Sequence, residues 1–161
     1  MATIQLKDAD KATVKAQYNK GTAPVKKALE ALYGAEVFAP AVTDTIKTFE
    51  DACKALKLNV KTVLAGQTAT DIIAYIKLTT IARALNAGWV PDWADDNQPK
   101  YVPFFEYNTK TKRFSYCDCL GWFQYSSVGS RLCFRTRELA EYAAKQFVNE
   151  YNDFLFLNKT K

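Results

Sequence analysis

Four cysteines are the first residues in this chain whose type and spacing suggest chemistry. Cys117-x-Cys119 stands in an aromatic stretch, with Cys133 further on and Cys53 in the first half. Residues two apart on a strand share a face, so the sulfurs of Cys117 and Cys119 could converge on a metal. Structural zinc wants four ligands, commonly from paired Cys-x-x-Cys knuckles, and the chain has no such pair. Packing as reduced thiols is therefore the expected role, with no metal and no other cofactor. The chain has no histidine, which removes Ser-His and Cys-His pairs and the histidine ligands of hydrolytic zinc. Its six glycines form neither a phosphate-cradling loop nor a dinucleotide fingerprint. Ser126, Ser127 and Ser130 sit near Gly129 without a Ser-x-x-Lys or elbow motif. Asp92, Asp95, Asp96 and Glu106 leave carboxylate catalysis open, but solvated loop acids and one strand glutamate account for them. A non-enzymatic protein is expected.

The stronger signal is charge placed among aromatics. Between Lys110 and Arg137 stand six basic residues (Lys110, Lys112, Arg113, Arg131, Arg135, Arg137) and one acid, Asp118. That net of +5 equals the excess of the whole chain, so the remainder is neutral. A localised basic surface points to an anionic partner. Phe114, Tyr116, Trp122, Phe123, Tyr125 and Phe134 interleave with these cations. Single-stranded nucleic acid binders combine such a basic track with aromatic stacking faces. The competing explanation is structural: lysines blunt sheet edges, and aromatics fill the cores beneath strands.

The elements that must position these residues follow from periodicity and caps. Asp8 opens a short helix that Lys20-Gly21-Thr22 breaks. Thr22 caps a second, with Pro24 near its start and Gly34 past its end. Thr43 is expected to cap a helix over 44–56, where Ile46, Phe49, Cys53 and Leu56 recur at helical spacing. Residues 57–69 are ambiguous between a helical turn and a connector. Thr70 begins the strongest helix of this half, 71–86, whose apolar residues cover more than one face and predict burial. The connector GWVPDWADDNQPK (88–100) carries Trp89 and Trp93 and reads as an ordered loop that packs. Strands are expected at 101–107, 113–119, 122–127 and 130–134, with Pro103 marking an edge position. Thr136 caps a long last helix, on which Ala140, Ala143, Ala144, Phe147, Tyr151 and Phe154 form one stripe.

The expected fold is α+β: a helical N-terminal half, then a three- or four-stranded antiparallel sheet with a long C-terminal helix packed on it. One domain over 1–161 is expected, with 1–88 as the helical half and 89–161 as the sheet and last helix. The composition, 48% hydrophobic and 24% charged, is that of a globular chain and excludes a disordered tail. Without a signal-like h-region or a membrane-length apolar run, the expected setting is soluble and cytoplasmic.

Several strings together carry a resemblance: TIKTFEDACKAL (45–56), LNAGWVPDW (85–93), KYVPFFEY (100–107) and GSRLCFRTRELAEYAAKQF (129–147). They resemble a group of uncharacterised small proteins of phages and prophages of gut Bacteroidales. The group carries no assigned activity. The resemblance therefore implies a setting, a phage or mobile element in the host cytoplasm or the virion, and transfers no catalytic or binding residue. On the residues themselves, Trp89 and Trp93 can anchor the helical half to the sheet, and Gly129 can supply the turn before Ser130.

The expected function is a binding protein that holds an anionic partner on a basic aromatic sheet, foremost single-stranded nucleic acid. Lys110, Lys112, Arg113, Arg131, Arg135 and Arg137 supply the charge, and Tyr116, Trp122 and Tyr125 the stacking faces. The alternative is a protein–protein role, as a virion component or an inhibitor of a host defence protein docking through an acidic surface.

Overall fold

A computed structural model describes residues 8–124 and 130–156. The chain divides into two compact units, Met1–Ala41 and Val42–Lys161.

In the first unit lie α1 (Asp8–Lys20) and α2 (Ala23–Tyr33), separated at Gly21-Thr22; Thr22 stands at the N-cap of α2 in an extended conformation, but its side chain makes no capping hydrogen bond. Gly34 takes φ +90°, and its N–H closes α2 on the Glu30 carbonyl at 2.9 Å. A single turn of 3-10 helix, Ala35–Val37, brings Phe38 onto Tyr18, with ring centroids 4.2 Å apart. The Tyr18 hydroxyl donates to Glu30, and Lys26 lies 5.3 Å over the Tyr18 ring.

The second unit is built on a hairpin of β1 (Lys100–Asn108) and β2 (Arg113–Trp122), antiparallel from Lys100↔Trp122 to Asn108↔Arg113. Asn108 Oδ1 accepts the N–H groups of Lys110 (2.9 Å) and Thr111 (3.1 Å) and so shapes the turn. The ladder slips once. Phe104 faces Asp118 while Phe105 faces Tyr116, which leaves Cys117 as the extra residue of a bulge. Gly121 lies opposite Tyr101, whose ring packs over it; a Cβ there would sit 3.1 Å from Tyr101 Cε1.

On its other side β1 meets a single residue, Phe134. Tyr101 N–H donates to the Phe134 carbonyl (3.0 Å), and Phe134 N–H to the Tyr101 carbonyl (2.8 Å). Residues 101 and 103 direct their backbone groups to the same side, away from β2. The N–H that Pro103 lacks is thus not one the hairpin needs, and the proline does stand at an edge.

The α+β class and the helical first half hold, but two finer expectations are corrected. Among the described residues the sheet has two strands, where three or four were expected. The stretch expected as a strand at 130–134 is a 3-10 turn (Ser130–Leu132) followed by the one-residue bridge. In the stretch expected at 122–127, Trp122 ends β2, Phe123 and Gln124 bend, and the rest lies outside the described residues. The long last helix is two helices, α7 (Arg137–Gln146) and α8 (Val148–Leu155), which meet at Phe147 (φ −110°, ψ 32°). The apolar stripe survives the break, since Ala140, Ala143, Ala144, Phe147 and Tyr151 are all buried. Thr136 caps α7 as expected, accepting the Leu139 N–H at 3.3 Å.

The helix expected over 44–56 is likewise split, into α3 (Val42–Thr45) and α4 (Phe49–Ala55). Thr48 restarts it through a capping box. Its hydroxyl accepts the Asp51 N–H (3.1 Å), and its own N–H donates to Asp51 Oδ2 (3.0 Å). The ambiguous stretch contains one turn, α5 (Val60–Val63), capped by Asn59. α6 (Thr70–Asn86) is buried along its second half, as its apolar excess foretold. The core lies between α4, α6, α7 and the inner face of the hairpin, where Phe49, Cys53, Ile81, Leu85, Cys119 and Phe134 meet. Among the described residues, no helix is long and apolar enough to cross a membrane.

Candidate anion-binding cleft

Thr79, Arg83 and Asn86 of α6 stand at i, i+4 and i+7. That spacing sets them on one face. Asn86, the last residue of the helix, is buried and uses its whole amide on backbone. Its Nδ2 donates to the Cys133 carbonyl (2.9 Å), and its Oδ1 accepts the Arg135 N–H (3.0 Å). Residues 133–135 are thereby held by Asn86 and, through Phe134, by Tyr101 of β1. Arg131, on the turn just before, lines the same cleft as Arg83.

The chain reverses after α6 through Ala87 (φ 48°) and Gly88 (φ 86°) and forms the loop that closes the site. The loop is bonded through its backbone and its own Asp and Gln side chains. Trp89 N–H donates to the Asn86 carbonyl (2.9 Å), and Asp92 N–H to Gln98 Oε1 (2.8 Å). Asp92 Oδ1 accepts from Ala94 N–H (2.9 Å) and Asp95 Oδ1 from Asn97 N–H (2.8 Å). Lys100 Nζ reaches back from β1 to the Asp95 carbonyl (2.9 Å) and lies 5.6 Å from the Trp93 ring centroid.

Between this loop and α6 lies a cleft of about 470 Å³, with Arg83, Arg131, Trp89, Trp93, Asn86 and Cys133 among its lining. The charged groups in its lining are both arginines. Val90, on its rim, is 76% exposed. A cavity of a few hundred Å³ with apolar walls and a few polar groups is the usual form of a ligand site. Guanidinium groups bind carboxylate or phosphate in a bidentate manner, and indole faces stack on planar rings. The arrangement suits an anionic group attached to a planar one. Cys133 is no nucleophile here, because burial pushes its thiol up to about 11.

Only part of the predicted basic surface meets at this cleft. Arg131 lines it, and Arg135 is exposed beside it, its backbone held by Asn86. Lys110, Lys112 and Arg113 stand at the hairpin turn, where Arg113 Nη2 donates to Asn149 Oδ1 (2.7 Å). The length of strand from Tyr101 to Asn108 puts them on the order of 20 Å from the Phe134 end. The single continuous patch expected from charge counting is therefore two separate groups, because the hairpin spaces its turn away from its base. Arg137 pairs with Asp118 at 3.3 Å, with both side chains exposed. The Asp118 carboxyl is held below its usual range, first by the Cys119 N–H and then by Arg137.

The expected stacking residues fare differently. Tyr116 packs against the main core with Lys145 5.0 Å over its ring, so it faces α7 and not the open side of the sheet. Burial, and then the Glu141 carboxylate, push its phenol up to about 12. Trp122 is half-buried opposite Lys100 at the end of the ladder. Tyr125 lies outside the described residues.

The two sulfurs of Cys117-x-Cys119 do not converge. The bulge turns Cys117 to solvent, its Sγ donating to the Phe104 carbonyl (3.4 Å), while Cys119 is fully buried. Burial likewise pushes the Cys119 thiol up to about 11. Among the described residues, no group of three or more His, Cys, Asp or Glu side chains is placed to hold a metal ion.

Sequence reasoning missed Arg83, Trp89 and Trp93 as binding residues. The available signal was the spacing of Thr79, Arg83 and Asn86, which share one face of α6. Comparison with protein-family models, curated proteins and solved structures finds no match to this chain.

Proposed function

We propose that this is a non-enzymatic binding protein that holds single-stranded nucleic acid. A phosphate sits at Arg83 and Arg131, and an unpaired base lies against Trp89 and Trp93. The observation that carries the reading is the convergence of two arginines and two tryptophans on one cleft whose lining carries no carboxylate. Base–aromatic stacking contributes about 1–3 kcal/mol per base and needs no particular sequence. Arg135 beside the cleft, and Lys110, Lys112 and Arg113 at the hairpin turn, supply further phosphate contacts to a strand long enough to reach them. The proposed setting is a phage or mobile element acting in the host cytoplasm or carried in the virion, and it rests on the resemblance in the four strings quoted above.

The test is fluorescence anisotropy of labelled oligo-dT against the protein across a range of salt. Binding that weakens steeply with salt supports the reading, because phosphate contacts release counterions. No binding at low salt removes it.

A second reading, docking on another protein as a virion component or as an inhibitor of a host defence protein, is favoured by the sheet's exposed aromatics. Phe104 is 52% exposed and Tyr107 42%. Co-purification with particles, or capture of a partner that Phe104→Ser abolishes, is the outcome that favours it.

A further inference from the structure

Lys100 is the one charged residue among the described buried residues, with no exposed surface at all. It is the first residue of β1, and its backbone is fixed by the ladder opposite Trp122. Two contacts of its ammonium go to the loop, and its charge also acts on the Cys133 thiol. The ammonium donates to the Asp95 carbonyl at 2.9 Å and lies 5.6 Å from the centre of the Trp93 ring. Taking an ammonium out of water is costly, and a methionine of similar length would fill the space without that cost. What the ammonium adds over an apolar side chain is direction. A carbonyl dipole and a ring face can both be gripped by a cation, and neither by a thioether to the same extent.

The loop needs such a grip. Its other bonds among the described residues are local, the Trp89 N–H to the Asn86 carbonyl and Asx and glutamine contacts spanning no more than six residues, and Val90 near its start is largely exposed. Lys100 thus ties the middle of the loop to the hairpin. We infer that Lys100 is a positioning residue: it sets Trp93 as a wall of the cleft before any ligand arrives, so that the cleft is preformed and not closed by binding. The ligand assigned to the cleft rests on the reading above; the action of Lys100 on the loop does not.

Two measurements on Lys100→Met and Lys100→Arg separate these points. Amide hydrogen exchange needs no ligand. In Lys100→Met the N–H groups of Asp92, Ala94 and Asn97 are expected to lose about thirtyfold in protection, the scale of one desolvated cation–π contact. The ladder amides of Tyr101 and Phe134 keep theirs. Lys100→Arg, which keeps a donor, recovers part of the loop protection. Wild-type protection of the loop amides in Lys100→Met overturns the inference.

The second measurement is a double-mutant cycle on labelled oligo-dT affinity with Trp93→Ala. If Lys100 acts through Trp93, Lys100→Met weakens binding in the wild-type background and adds nothing when Trp93 is already alanine. Additive losses overturn it. Should Lys100→Met lose protection throughout the fold, the arginine variant alone decides, through the loop amides. If wild-type protein fails to bind oligo-dT, the nucleic-acid reading falls, while the exchange experiment still judges Lys100.

Discussion

The side-chain amide of Asn86 spans from the Cys133 carbonyl to the Arg135 N–H, at 2.9 and 3.0 Å. With Phe134 bonded to Tyr101 on its opposite side, the segment is held like a strand between two partners, one of which is a single side chain. Asn152 does the same at the far end of the sheet. Its Oδ1 accepts the Phe114 N–H (2.8 Å), and its Nδ2 donates to the carbonyls of Phe114 (2.9 Å) and Val148 (2.8 Å). A two-stranded sheet has little cooperativity of its own, and these two buried amides do the work of missing strands.

Truncating either amide leaves buried backbone groups without partners. Asn86→Ala strands one N–H and one carbonyl, and a loss of about 2–4 kcal/mol is expected from the unmet groups. Asn152→Ala is expected to cost a similar amount. Urea unfolding, read as a shift in midpoint at constant slope, measures both. The two variants differ in one respect: Asn86→Ala also releases Arg131 from the cleft and so lowers anion affinity, which Asn152→Ala leaves unchanged.

The cysteines separate by exposure. Cys117 stands at the bulge in solvent, while Cys53, Cys119 and Cys133 are buried and each thiol is raised by that burial. Native protein treated with a thiol reagent at neutral pH is expected to label rapidly at Cys117 alone. The other three react only on unfolding. Rapid labelling of Cys119 in the native state contradicts the assigned bulge.

Three carboxylates tie stability to pH: Glu138, lowered first by its own backbone N–H and then by the Thr136 hydroxyl, and the pair Asp51 and Asp118. Asp51 is lowered first by the Thr48 hydroxyl and then by the Lys47 N–H, and Asp118 by the Cys119 N–H and then Arg137. A carboxylate whose folded pKa is depressed stabilises the fold above its unfolded value. That contribution is lost as pH falls through the folded value. None of the three is buried, so the effect is small. Stability is expected to fall below about pH 4, the ordinary carboxylate range. Asp51→Asn, which removes the capping carboxylate, should flatten the profile there. An acid limb identical to wild type in Asp51→Asn contradicts the cap's contribution.

Much of the fold could be read locally. Thr22, Pro24 and Gly34 mark the ends of α2, the Thr136 hydroxyl caps α7, and Pro103 stands on an edge, because these signals act on backbone within a few residues of themselves. The burial of α6 followed from apolar residues covering more than one face. Features that depend on tertiary geometry could not be read this way. The bulge at Cys117 breaks the two-residue rule on which the paired sulfurs depended. The break at Phe147 leaves the apolar stripe intact, so periodicity passes straight through it. Charge counting grouped Lys110 with Arg131 because they are near in sequence, whereas the hairpin holds them apart. Arg83 escaped notice for the opposite reason: it is remote in sequence from Arg131 and meets it only once Asn86 has pinned residues 133–135.

On the proposed reading the cleft, and not the hairpin turn, seats the anionic ligand. Its most direct test is oligo-dT anisotropy on two double variants, Arg83→Ala/Arg131→Ala and Lys110→Ala/Lys112→Ala, each titrated across salt. The cleft variant is expected to lose at least about tenfold in affinity and to flatten the salt slope by about two phosphate contacts; the turn variant should lose far less. A turn variant that loses binding while the cleft variant keeps it contradicts the account.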